Sequence, residues 1–383
     1  MINLFSSVSK ISKIILFSLE NERTIDLSLY ELIKNNDSYI PSFKVLKLIS
    51  YNFVPKVPFL IWLLVVPVVA IIYHLAALLF VPVIFVIIIF RSFLFIRPMP
   101  DCFIFPTSND AKSLIHRALS FCSIGFKKYS YIKYSVVWLS LLLSPLYFIK
   151  AVLVYFLVLY KIFFTTRFSI KIDLILHSYD LGKLCLLSVF VEGFQGTIAS
   201  DDHYQRWSFL FSHLSNRFVL VQHGYVNSDI TFPHKYGKVT ELCIRSKVYK
   251  SHFSKYYDLR GVVVFNRNKN ISREYSNLDI VLVSSFPYID QELEFLRALR
   301  KKFSCKVAIK LHPSHRYDYR GELLIALADV EIKDDSIHLC KLFVSHNSFM
   351  QVDYKEHRID CFSLSSASNL DLCFEKIDKL LKF

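Results

Sequence analysis

The sequence predicts an α/β protein of two Rossmann-like domains preceded by a hydrophobic, mainly helical, membrane-associated region. Three observations predict it. The 383 residues exceed what one hydrophobic core usually holds. The composition is 53% hydrophobic and only 20% charged, with a mean hydropathy of +0.37, whereas soluble domains are about a quarter charged. From about Phe168 onward, short β-rich runs alternate with helical ones, the texture of parallel α/β units.

Residues 1–56 read as an N-terminal helical segment. Its apolar patch, Ile14 to Phe17, is shorter than a secretory h-region and is followed by Glu20 and Glu22, so no signal peptide is expected. Residues 57–97 read as a membrane hairpin or span. Val57 to Phe90 carries no charged side chain over 34 residues and is broken by Pro58, Pro67 and Pro82. One crossing needs about 20 apolar residues and two need roughly 40 plus a turn, so this length suits one tilted span or a kinked hairpin. Basic residues on both flanks, among them Lys47, Lys56, Arg91 and Arg97, favour the hairpin with both ends cytoplasmic.

Residues 98–265 read as the first Rossmann-like domain, with an apolar insertion at 134–163. Lys150 interrupts that insertion, and a lysine at mid-span is costly in lipid, so an interfacial helix or hairpin is favoured over a crossing. Arg91 to Arg167 holds 10 Lys/Arg against Asp101 and Asp110, which gives +8 of the total +14. Basic charge beside apolar anchors points to anionic lipid rather than to nucleic acid, for which no binding motif is present.

Strands are expected at Ile170 to Leu176, Gly196 to Ala199, Phe218 to Val221, Glu241 to Arg245, Gly261 to Phe265, Asp279 to Val283, Lys306 to Leu311, Leu342 to Ser345 and Ile359 to Ser363. Helices are expected at Tyr204 to Leu214 and Ile289 to Phe303. Residues 266–383 thus form a second Rossmann-like, nucleotide-binding domain, as two such domains facing a cleft would require.

Only 8 glycines occur, with no GxGxxG or GxxxxGK[ST] run, so a nicotinamide dehydrogenase and a P-loop ATPase are both disfavoured. The 8 cysteines form no CxxC pair, which argues against a zinc knuckle or disulfide framework and for a reducing setting. Neither a metal nor a cofactor is expected.

Ligands of parallel α/β sheets sit beyond the carboxyl ends of the strands. Here those ends carry Ser200-Asp201-Asp202-His203, Gln222-His223-Gly224, His312-Pro313-Ser314-His315-Arg316 and Ser345-His346-Asn347-Ser348. Lys310, His312, Arg316, Ser345, Asn347 and Ser348 offer cations and donors for a departing phosphate. Asp202 and His223 are the candidates for a base that deprotonates an incoming hydroxyl. Plainer readings stand beside these. Asp202 fits an N-cap, His223 a turn, His312 a strand end held extended by Pro313, and Ser345 to Ser348 a cap. His203, His315 and His346 read as neighbours rather than catalysts.

The ordered set "SDD", "VLVQHG", "KLHPSHR", "FVSHNS" and "IDCFSL" resembles bacterial surface-polysaccharide transferases of the two-domain GT-B fold. That group includes CDP-glycerol glycerophosphotransferases, bacterial polysialyltransferases and capsule glycosyltransferases. The chain departs from the pattern at Val352, where these families usually place a glutamate, and at His203, where the polysialyltransferase pattern has glycine. The resemblance implies a nucleotide-activated donor, a glycan or lipid-linked acceptor, and work on the cytoplasmic face of the inner membrane. It leans to His223 as base by the glycerophosphotransferases and to the acidic residue by the polysialyltransferases, and leaves the choice open. Two rivals remain: a metal-dependent hydrolase built on Asp201, Asp202, His203 and His223, and a non-catalytic membrane scaffold on a decayed transferase fold.

Overall fold

The computed structural model describes residues 2–34, positions 68, 72, 75 and 79, 81–86, 88–89, 99–107, 109–122, 128–140, 142–165, 174, 178, 180–202, 206–223, 231–265, 271–272, 274–275, 277–285, 288–312, 319–334, 336–346, 348, 350–364 and 370–381. The chain divides into two compact units, Met1–Phe265 and Asn266–Phe383. Most of the expected hairpin at Val57 to Phe90 lies outside the described residues; those described between 68 and 89 are helical.

The first unit is built from α1 (Ile2–Lys34), β1 (Cys102–Phe105), α2 (Asn109–Leu119), β2 (Tyr129–Tyr131), α3 (Val136–Ser140), α4 (Pro145–Thr165), α5 (Leu181–Gly193), β3 (Thr197–Asp201), α6 (Arg206–Leu214), β4 (Arg217–Val221), β5 (Lys238–Val239), β6 (Glu241–Ile244), α7 (Lys250–Tyr256), β7 (Asp258–Leu259) and β8 (Val262–Val264). Its parallel sheet runs β2-β1-β3-β4-β6-β8, with β5 and β7 paired apart. β3 is buried along its whole length. Successive side chains serve opposite cores: Ile198 joins the cluster with Phe103 and Phe211, and Ala199 the one with Ile104 and Ile115.

Of the strand expected over Ile170 to Leu176 only Leu174 is described, and it is helical; the rest lies outside the described residues. The sheet holds two strands that were not expected, β1 and β2. β1 pairs with β3 from Cys102↔Thr197 to Phe105↔Ser200. A four-residue apolar run inside an apolar background carries no periodicity that marks it as a strand.

α1 is stapled to the sheet layer by buried charge. Arg206, fully buried, reaches Glu22 at 2.7 Å and Asp180 at 2.5 Å, and the Tyr134 hydroxyl donates to Asp180 at 2.8 Å. Asn21 forms a two-point, peptide-like pair with the backbone of His234, donating to its carbonyl at 2.9 Å and accepting from its N–H at 3.0 Å.

The second unit holds β9 (Ile271–Ser272), β10 (Leu278–Val283), α8 (Ile289–Lys302), β11 (Val307–Lys310), α9 (Tyr319–Leu327), β12 (Val330–Glu331), β13 (Ile337–His338), β14 (Cys340–Ser345), α10 (Met350–Glu356), β15 (Asp360–Ser363) and α11 (Leu370–Leu381). Its parallel sheet runs β12-β11-β10-β14-β15, and β13 pairs with β9 apart. Ile280 and Leu282 face one core, Val281 and Val283 the other. α8 opens with Asp290 and Glu292 and closes with Arg300, Lys301 and Lys302, the charge order that its dipole favours.

Candidate functional site

In a parallel sheet the crevice forms where the strand order reverses. In the first unit that point lies between β1 and β3. The chain leaving β1 reaches Thr107, whose N–H donates to Asp201 Oδ1 at 2.9 Å while its hydroxyl donates to Asp201 Oδ2. His223, just past β4, sets its Nδ1 3.7 Å from the same Oδ2. Asp202 accepts the backbone N–H of His223 at 2.7 Å. Among the described residues Asp202 thus fixes the turn after β4. His203 to Gln205, where a helix cap would be tested, lie outside them.

The edge is closed by a residue that the sequence reading passed over. Arg245, at the end of β6, donates its N–H to Gln222 Oε1 at 3.1 Å and its Nη2 to the His223 carbonyl at 3.4 Å. The Gln222 amide nitrogen, wholly buried, has no hydrogen-bond partner among the described residues. Asp201 and Asp202 are buried, whereas the His223 side chain keeps 22% of its exposure. Of the three, the imidazole is the group that a solvent-borne ligand meets.

In the second unit the reversal falls between β10 and β14. Ser284, just past β10, accepts the His312 N–H at 2.6 Å. Ser345 ends β14 fully buried, and its hydroxyl has no partner among the described residues. His346 stacks on Tyr288 with ring centroids 4.3 Å apart, and its carbonyl accepts the Ser363 hydroxyl at 2.7 Å. Burial lowers the His312 pKa and pushes that of His346 down to about 4, so both rings are neutral near pH 7.

Glu292 was also missed. It is fully buried on α8, accepts the Ser285 N–H at 2.7 Å, and is held well above the usual carboxylate range by desolvation. Its carboxyl secures the turn that carries Ser284 and Tyr288. A signal existed: Glu292 occupies the apolar stripe of Ile289, Leu293, Leu296 and Leu299.

The expected phosphate cradle is brought together in part. His312 and Ser345 lie at this edge. The Lys310 ammonium donates to the Asp334 carbonyl. Ser348 accepts the Met350 N–H at 3.3 Å, capping α10. Arg316 and Asn347 lie outside the described residues. Among the described residues no group of three or more His, Cys, Asp or Glu is placed to hold a metal ion.

These sheets and edges define an α/β protein of two parallel, Rossmann-like units. No family model matches the chain, and no curated protein matches it by sequence. Among solved structures, one titled "Crystal Structure of TarM" is similar at 13% identity and a TM-score of 0.30, over 49% of this chain and 47% of that one. The match thus spans about half the length of either chain; at that TM-score it carries no argument for a shared activity.

Proposed function

We propose that the chain is a membrane-associated, GT-B-like transferase that moves a sugar or a polyol phosphate from a nucleotide-activated donor to a growing surface glycan. The observation that supports this reading most is the Thr107–Asp201–His223 chain at the reversal point of the first sheet. A carboxylate facing Nδ1 favours the tautomer whose Nε2 accepts a proton, and stabilises the imidazolium that results. His223 is then the base that takes the acceptor's hydroxyl proton as the oxygen attacks the donor and the nucleotide leaves with the bonding pair. Asp201 orients the ring, and Asp202 holds the backbone that carries it.

The donor belongs to the second unit in this reading. The buried Ser345 hydroxyl, His312 and the Ser284 turn supply neutral hydrogen-bonding groups, and Arg316 supplies charge for the phosphates, as the resemblance implies. The work is assigned to the cytoplasmic face of the inner membrane.

Thermal unfolding of the purified chain in the presence of CMP, CDP, UDP or GDP tests the reading. One nucleotide should raise the midpoint selectively, since a ligand bound only to the folded state stabilises it. No shift with any of them would sink the assignment. Activity abolished by chelator and restored by a divalent metal would favour the hydrolase instead.

A further inference from the structure

We propose that α4 lies in the plane of an anionic lipid leaflet, with its outer face in the headgroup boundary, and does not cross the bilayer. This rests on the membrane association proposed above but not on the transfer chemistry.

Among the described residues, Pro145–Phe164 is the helix long and apolar enough to span a membrane. Its two faces have different partners. Phe148, Ala151, Val154, Val158 and Ile162 are buried in the core of the first unit. Leu146, Ile149, Phe156, Tyr160 and Phe164 recur at helical spacing on the other face and are exposed, Phe164 by 75%. A crossing helix would have to take the inner face off the α/β core.

Lys150 makes the same point. Its ammonium is bonded to Glu192 at 2.5 Å, and Glu192 also accepts the Ser7 hydroxyl, so the charge is neutralised on the protein side and not offered to lipid. The neighbouring helical positions extend the apolar surface. Val68, Ile72, Leu75, Leu79, Val83 and Val86 are all exposed, while Phe85 stacks toward Phe148 with centroids 6.1 Å apart.

Charge names the occupant. At the far end of the row, Lys161 donates to Ser12 on α1 at 3.2 Å, and α1 brings Lys10 and Lys13, both exposed. These cations stand on the helix pair that carries the exposed Tyr160 and Phe164 rings, whose centroids are 5.1 Å apart. Aromatic rings with basic residues beside an apolar face match the boundary of an anionic leaflet.

The test uses the full-length chain and vesicles of phosphatidylcholine with or without phosphatidylglycerol. Replacing Lys10, Lys13 and Lys161 by alanine should weaken binding to the phosphatidylglycerol vesicles by roughly 100-fold, from about fivefold per basic residue, and leave binding to phosphatidylcholine alone unchanged. A fluorophore on Phe156→Cys, corrected for the labelling of the unsubstituted chain, should be quenched by headgroup-level quenchers and not by those at the bilayer centre. Equal lipid preference in the triple variant, no response of the probe to vesicles, or strongest quenching from the bilayer centre would each overturn the proposal. So would a dimer in solution that Phe156→Glu splits while vesicle binding persists, since the face would then belong to a second copy. Nucleotide-induced thermal shifts on the same proteins keep a failure of the transferase reading separate.

Discussion

The carboxyl edges of the two sheets are built alike and charged differently. In the first unit, Asp201, Asp202 and Arg245 crowd around His223 with ionisable groups in hydrogen-bonding or near-contact range. In the second, burial disfavours charge on the titratable groups: it lowers the pKa of His312 and His346 and raises that of Glu292. One edge suits moving a proton and the other suits holding a polar ligand. The architecture therefore sets only the location of the chemistry; the residues within two places of each strand end set its kind.

The comparison breaks most readily at His223. His223→Ala should lower turnover by about 100-fold or more, the usual worth of a general base, while nucleotide affinity changes little. Asp202→Asn retains an oxygen for the His223 N–H, so its loss should stay under about tenfold. If Asp202→Asn abolishes transfer and His223→Ala barely affects it, the acidic residue is the base and the first edge has been misread.

The second edge is sharpened by pH. The Glu292 pKa is raised in the folded state, so its contribution to stability is complete below its ordinary value of 4.5 and is lost as pH rises. His346 acts in the opposite sense: its pKa is lowered from 6.5 to about 4, so its contribution is present above 6.5 and is lost as pH falls toward 4. The two slopes oppose each other between them. Glu292→Gln removes the first and leaves the second, so the unfolding free energy of the variant should rise more steeply with pH than that of the unsubstituted chain between pH 4.5 and 6.5. Denaturant titrations across that window measure it, and parallel profiles for the two proteins would mean that Glu292 is ionised in the fold.

Ser345→Ala should have the smallest effect. Deleting a buried hydroxyl that has no partner among the described residues should leave stability unchanged or raise it by up to about 1 kcal/mol. Nucleotide affinity should fall in the same variant, by roughly tenfold if the hydroxyl donates to the ligand. A loss of stability with unchanged affinity would make Ser345 a structural residue.

Much of both sheets was legible because their strands are short apolar runs that end abruptly in polar residues. β3, β4, β6, β10, β11, β14 and β15 all announce themselves this way, and their ends gave Asp202, His223, His312 and Ser345. Thr107 was not legible, since its role comes from the register that sets Phe105 opposite Ser200. Arg245 was read as the last residue of a strand; its function as a brace on the His223 turn depends on β6 lying beside β4. Lys150 looked like a defect in an apolar helix until Glu192, 42 residues away, supplied its partner. Each of these three involves a partner remote in sequence, which local pattern does not encode.

The clasp between Asn21 and His234 also bears on how the chain is made. The two residues are 213 positions apart, so at the usual pace of synthesis the first waits roughly 10–40 s for the second to emerge. Arg206, which neutralises Glu22, arrives only slightly sooner. Until α4 and α6 follow, the side of α1 bearing Val8, Ile11, Ile15 and Leu19 lacks the helices it packs on. A nascent chain halted before Pro145 therefore presents a bare apolar helix to whatever host is near, and a segment translated early is among the later ones to find its place.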